Sequence, residues 1–169
     1  MNNIITMKRI AILIVAILTA ISVSAQDYKS IYQKYSDDDR VTAVYISPAM
    51  FKLIGKLPEV KIEETGVDLS PMIKSMTGFY MLETEDKDLA DKIFKEVSKV
   101  VSGHSFETLM QVKDKGQKLN IFSLGDDEFL KSLLLTSYED GETVFIGIDG
   151  LMKRTDVENA VAEASRDLF

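Results

Sequence analysis

The sequence predicts an α+β fold: a single antiparallel sheet of about six strands, with helices packed mainly on one face. Two observations lead there. From Phe106 to Ile148 strand-like runs alternate with short turns, which gives a late four-strand meander. Two earlier strand-like runs, Val41 to Ile46 and Thr77 to Glu83, are separated by helical patterns, which argues against a doubly wound parallel sheet.

The chain opens on a segment that does not belong to the fold. Lys8-Arg9 precedes an apolar run, Ile10 to Ile21, broken only by Thr19. Val23-Ser24-Ala25 then supplies the small residues that a signal peptidase reads. The run is short of the roughly 20 apolar residues that span a bilayer. Residues 1–25 are therefore expected to be a cleaved signal peptide, and 26–169 a single domain exported to the periplasm or beyond. No transmembrane segment is expected after cleavage.

The 169 residues include no cysteine, so disulfides, thiolate metal sites and a lipid anchor on cysteine are all excluded. Of 20 Lys plus Arg, two fall in the leader; against 27 Asp plus Glu the remainder carries −9. An acidic domain is repelled by nucleic acid and by anionic lipid, and neither is expected as a partner.

In chain order, Tyr28, Ile31, Tyr32 and Tyr35 fall on one helical face, suited to pack on a sheet with hydroxyls at the wet rim. Ser36 to Asp39 follows as a polar loop, and its triple Asp lacks EF-hand spacing. The strand Val41 to Ile46 reads as partly buried on both faces. Ser47-Pro48 then caps and starts a helix with Met50, Phe51, Leu53 and Ile54 on its apolar side and Gly55 at its end. Lys56 to Asp68 has no sustained period and reads as a loop. Ser70-Pro71 starts a second short helix, and Thr77 to Glu83 is a strand.

Asp86 to Val101 has the clearest helical pattern: Leu89, Ile93, Val97 and Val100 form a stripe widened by Ala90, Phe94 and Val101. Acidic residues favour its start, and Gly103 is its C-cap candidate. Asp114-Lys115-Gly116 turns one hairpin, with Lys113, Lys115 and Lys118 placed to discourage edge pairing. Glu139-Asp140-Gly141 turns the next, Leu130 to Gly150, whose arms are apolar on both faces and so belong at the sheet centre. Asp149-Gly150 is expected to leave the sheet. Thr155-Asp156-Val157-Glu158 reads as a capping box for a last helix with Val157, Ala160, Val161, Ala164 and Leu168 as its stripe.

Chemistry is sparse. His104, the one histidine, follows Gly103 with no nucleophile motif beside it, and a helix C-terminus gives it a structural role. No phosphate loop and no Gly-x-Ser-x-Gly is present. No catalytic, cofactor-binding or metal residue is assigned, and no cofactor is expected. Methionine lines adaptable apolar surfaces as well as cores, so Met50, Phe51, Met72, Met76 and Met81 form the candidate apolar binding surface.

Two stretches carry a resemblance: Ile31-Tyr32-Gln33-Lys34-Tyr35-Ser36, and Val41 through Ser47-Pro48-Ala49-Met50-Phe51. With the paired hairpins ending in Asp149-Gly150, the chain resembles a bacterial family known as domain of unknown function 4252. The resemblance implies a small exported protein of the cell envelope, encoded near extracytoplasmic-function sigma factors. Some members carry a lipid anchor, and this chain departs from them by lacking the cysteine. No catalytic residue carries over.

The expected function is a non-catalytic envelope domain that binds a protein partner or apolar ligand. A hydrolase using carboxylates is the alternative, and facing carboxylates in a cleft would mark it. A regulatory partner in an envelope stress system is a third, which only the resemblance suggests.

Overall fold

Positive φ at both Asp140 (47°) and Gly141 (94°) closes a two-residue turn. This is the conformation that makes Asp-Gly a strong hairpin signal. The turn joins β5 (Phe129–Glu139) to β6 (Glu142–Lys153). In the computed structural model, which describes residues 27–54 and 70–166, these two strands lie at the centre of one six-stranded sheet. Its remaining strands are β1 (Thr42–Ile46), β2 (Met76–Thr84), β3 (Glu107–Asp114) and β4 (Gln117–Gly125). The order is β1-β2-β6-β5-β4-β3, antiparallel throughout. The late meander and the single α+β sheet are thus as the sequence predicts.

Five helices complete the described fold: α1 (Asp27–Tyr35), α2 (Pro48–Ile54), α3 (Ser70–Ser75), α4 (Lys87–Gly103) and α5 (Arg154–Arg166). They divide between the faces rather than crowding one. On the first face, Tyr28, Ile31 and Tyr35 of α1 and Leu89, Ile93 and Val97 of α4 bury Leu82, Leu134 and Phe145. On the second, Phe51 of α2 and Val157 of α5 join Met76, Leu130, Leu133 and Met152, with Met72 and Ile73 of α3 against them.

A bulge makes the second core possible. The β5–β6 register slips between Leu130 and Ser132, which shifts the side-chain alternation by one. Leu130 and Met152 therefore reach the same core as Leu133 and Ile148.

Caps fix the helix starts. Ser47 Oγ accepts from the Met50 amide (3.3 Å) ahead of α2, and Asp86 Oδ1 accepts from the Leu89 amide (3.0 Å) ahead of α4. Asp86 is thus a cap, as its place in the acidic cluster suggested. α4 runs through Gly103, so His104 is its cap, and the His104 Nδ1 donates to the Val100 carbonyl (2.7 Å).

Three local expectations are corrected. β6 continues through Gly150 to Lys153, because Gly150 serves a close approach: a Cβ there would lie 2.4 Å from the Ser75 carbonyl oxygen. α5 begins at Arg154, whose amide donates to Glu128 O (3.0 Å), so Thr155 lies inside the first turn and is no cap. β1 is an edge strand, which leaves Val44 and Tyr45 exposed. The Lys56 to Asp68 loop and Gly55 lie outside the described residues, as does the side chain of Leu168.

Candidate functional site

Of the five residues of the sequence-predicted apolar surface, the structure assigns three to the second core. Phe51 and Met76 are buried and Met72 packs against them. α2 and α3 touch each other and pack on the same end of the sheet. Met50 remains at the surface, half exposed, beside Leu53 at 61%. Met81 stands apart from all of these, in the middle of the sheet.

Met81 belongs to an arrangement that only strand register reveals. Val44 pairs with Met81, Met81 with Ile146, Ile146 with Leu135, Leu135 with Ile121, and Ile121 with Met110. Directly opposed residues share a face, so these six form one apolar row crossing every strand. At a strand spacing of about 4.8 Å the row is about 24 Å long. None of the six belongs to either buried core. Five are half-buried and Val44 is exposed. The row lies on the second face, beyond the end that α2, α3 and α5 cover.

A second surface lies on the first face, where α4 leaves β3 and β4 partly open. Phe94, Ser98 and Val101 follow one another along α4 at helical spacing and form one wall. Phe122, Asn120 and Gln111 form the floor of a groove of about 570 Å³, and Lys113 and Lys118 stand at its rim. The floor is ordered by hydrogen bonds: Gln111 Nε2 donates to Asn120 Oδ1 (2.9 Å), and Asn120 Nδ2 to Thr136 Oγ1 (3.2 Å). Lys113 and Lys118 are direct cross-strand partners. The Lys118 ammonium sits 5.2 Å from the Phe94 ring centre and 5.7 Å from that of Tyr138. Val101, at the margin of the α4 stripe, also packs against the first core, and Lys113 lies on the edge strand β3, where its charge discourages pairing.

The third cluster is internal. Asp149 pairs with Lys29 Nζ (2.7 Å) and accepts from Ser132 Oγ (3.2 Å), which lies 3.3 Å from the Tyr28 hydroxyl. Burial pushes the Asp149 carboxyl up to about 6, although Lys29 Nζ lies 2.7 Å away. Around it Tyr28, Tyr32, Tyr45 and Tyr80 pack ring against ring, with centroids 5.1 to 6.3 Å apart. The α1 tyrosines therefore serve packing, and Ser132 is too enclosed to meet a substrate.

The acidic loop has an internal use as well. Asp38 Oδ1 and Oδ2 accept from the Arg40 guanidinium (3.0 and 2.8 Å), which holds the Asp38 carboxyl down at about 2. Among the described residues no group of three potential ligands is arranged to hold a metal ion.

Residues 32–160 match the family model for a domain of unknown function, DUF4252, a span that takes in all six strands. The chain belongs to this family. The apolar row and the groove therefore both lie within the family domain. The family's description names no activity. No curated protein matches the chain.

Proposed function

We propose that this chain is a non-catalytic, exported domain of the cell envelope that binds a protein partner across the second face of its sheet. The observation that carries this reading is the apolar row from Val44 to Met110. Small ligands are held in concave sites that bury most of their surface, whereas a row about 24 Å long across a sheet face offers no such enclosure. An extended apolar surface of that kind matches a protein interface.

Two further features support it. Among the described residues the carboxyl displaced furthest upward, Asp149, faces Lys29 and Ser132 rather than a second carboxylate, so the pair that a carboxylate hydrolase needs is not assembled there. Export rests on the leader, with its Lys8-Arg9 start, apolar run and Ala25. Among the described residues no helix is long and apolar enough to cross a membrane.

Photo-crosslinking tests the interface. With a photoreactive amino acid at Val44 or Ile121, irradiation of intact cells is expected to give a discrete intermolecular adduct. The same label at Lys131, an exposed residue on β5, is expected to give none. Crosslinks confined to the chain itself, or equal yield at all three positions, would overturn the proposal.

A further inference from the structure

We infer that the groove between α4 and the β3–β4 hairpin is a second binding site, for a small amphipathic anion with an apolar body and one negatively charged head. It lies on the opposite face from the proposed protein interface and rests on different residues.

The first argument is electrostatic. Lys113 and Lys118 face each other directly across the β3–β4 ladder, an arrangement that places like charges side by side and costs stability. Among the described residues neither makes an ion pair, although the chain carries 27 carboxylate side chains against 20 Lys plus Arg. Arg40 and Arg154, by contrast, each hold two carboxylates. A lysine pair with no carboxylate partner among the described residues of so acidic a chain forms a local positive site, and an anion between the two ammonium groups would relieve their repulsion.

The second argument is shape and lining. About 570 Å³ lies within the usual range for ligand pockets, roughly 300–1,000 Å³. Beyond the Phe94 ring, against which Lys118 rests, Val101 on the wall and Phe122 on the floor are apolar, which suits an aliphatic or aromatic body. Gln111 and Asn120 already engage each other, so the polar floor is ordered before a ligand arrives. The Lys118 ammonium is likewise placed by the Phe94 and Tyr138 rings, and the Tyr138 hydroxyl is fixed by donating to Asp91 Oδ1 (3.0 Å). The chemistry is thus a monoanionic amphiphile, whether a free acid or the exposed end of a lipid.

The test titrates sodium decanoate, below its micelle concentration, into isotope-labelled chain spanning 26–169, with heteronuclear NMR as the readout. Saturable shifts are expected at the Gln111 and Asn120 side-chain amides and at the Ser98 and Ser102 backbone amides. Decanol and inorganic phosphate, each carrying half of the recognition, are expected to bind at least about tenfold more weakly. The Lys113→Gln/Lys118→Gln variant is expected to fold normally, since both side chains reach solvent, and to lose decanoate affinity by about tenfold or more. Phosphatidylglycerol vesicles distinguish the sources: binding that depends on the two lysines marks a lipid end, and its absence marks a free acid. Decanoate affinity unchanged in the double variant, phosphate binding as tightly as decanoate, or no shifts at the groove would each overturn the inference.

Discussion

Asp149 shows what placement does to a single residue. In the sequence it is one acid of many beside a glycine. In the fold its carboxyl is enclosed against Lys29 and Ser132, and burial raises it from 3.8 to about 6. A carboxyl whose folded pKa exceeds its unfolded value holds its proton more tightly when folded. Its stabilisation is therefore full below about pH 3.8 and is lost as pH rises through about 6. Asp149→Asn should accordingly remove this pH dependence between pH 4 and 6. Above pH 6 the variant should match or exceed the parent, by at most about 3 kcal/mol less the share that Lys29 returns. Urea unfolding at several pH values checks this, and an Asn variant less stable than the parent at pH 7 would show that the ion pair outweighs burial. Asp38 behaves oppositely: Arg40 lowers it to about 2, so its contribution is present at neutral pH and fades as pH falls toward that value. The Asp149 pairings were not legible in the sequence, because Lys29 and Ser132 lie far from it along the chain, whereas Arg40 stands only two residues from Asp38.

Elements were more legible than their ends. Helical periodicity located α1 and α4, and turn chemistry located both late hairpins, since 3.6-residue and two-residue spacings are local properties. Boundaries failed where a distant segment intervened. Gly150 reads as a strand exit until β2 is seen to begin against it, and Thr155 reads as a cap until Arg154 is seen to bond Glu128. Gly147, in the middle of β6, has the same kind of cause. A Cβ there would lie 2.9 Å from the Tyr28 ring, so the missing side chain is what lets α1 settle on the sheet. Gly147→Ala should destabilise by about 1–3 kcal/mol in chemical denaturation, as an overpacked core does. Gly103→Ala, at the end of α4 with nothing near its Cβ, should instead be neutral or stabilise by up to about 1 kcal/mol. Equal effects at the two glycines would contradict the packing account.

For the whole molecule, the central place of the β5–β6 hairpin followed from its two apolar faces, and each face carries a core as that pattern requires. The division of helices between the faces did not follow, because an amphipathic stripe specifies that a helix packs but not on which side. The candidate surfaces share that difficulty. Methionine composition singled out five residues, of which three turned inward and only Met81 joined the apolar row. Export is the prediction that belongs at this scale. Mass spectrometry of the chain purified from an envelope fraction should show an N-terminus at Gln26. A chain retaining Lys8-Arg9 at steady state would count against cleavage.

The amino-acid sequence by itself determined the local periods, the turns and the apolar content, and with them six strands, the helices and an acidic, cysteine-free domain. These are properties of neighbours along the chain, where covalent geometry sets which side chains share a face. Tertiary structure alone decided which rows align across the sheet, which methionines are enclosed, and that α4 walls a groove beside Lys113 and Lys118. Register and packing are contacts between residues far apart in sequence. They are set by how two cores fill on opposite faces at once, and no local pattern encodes that.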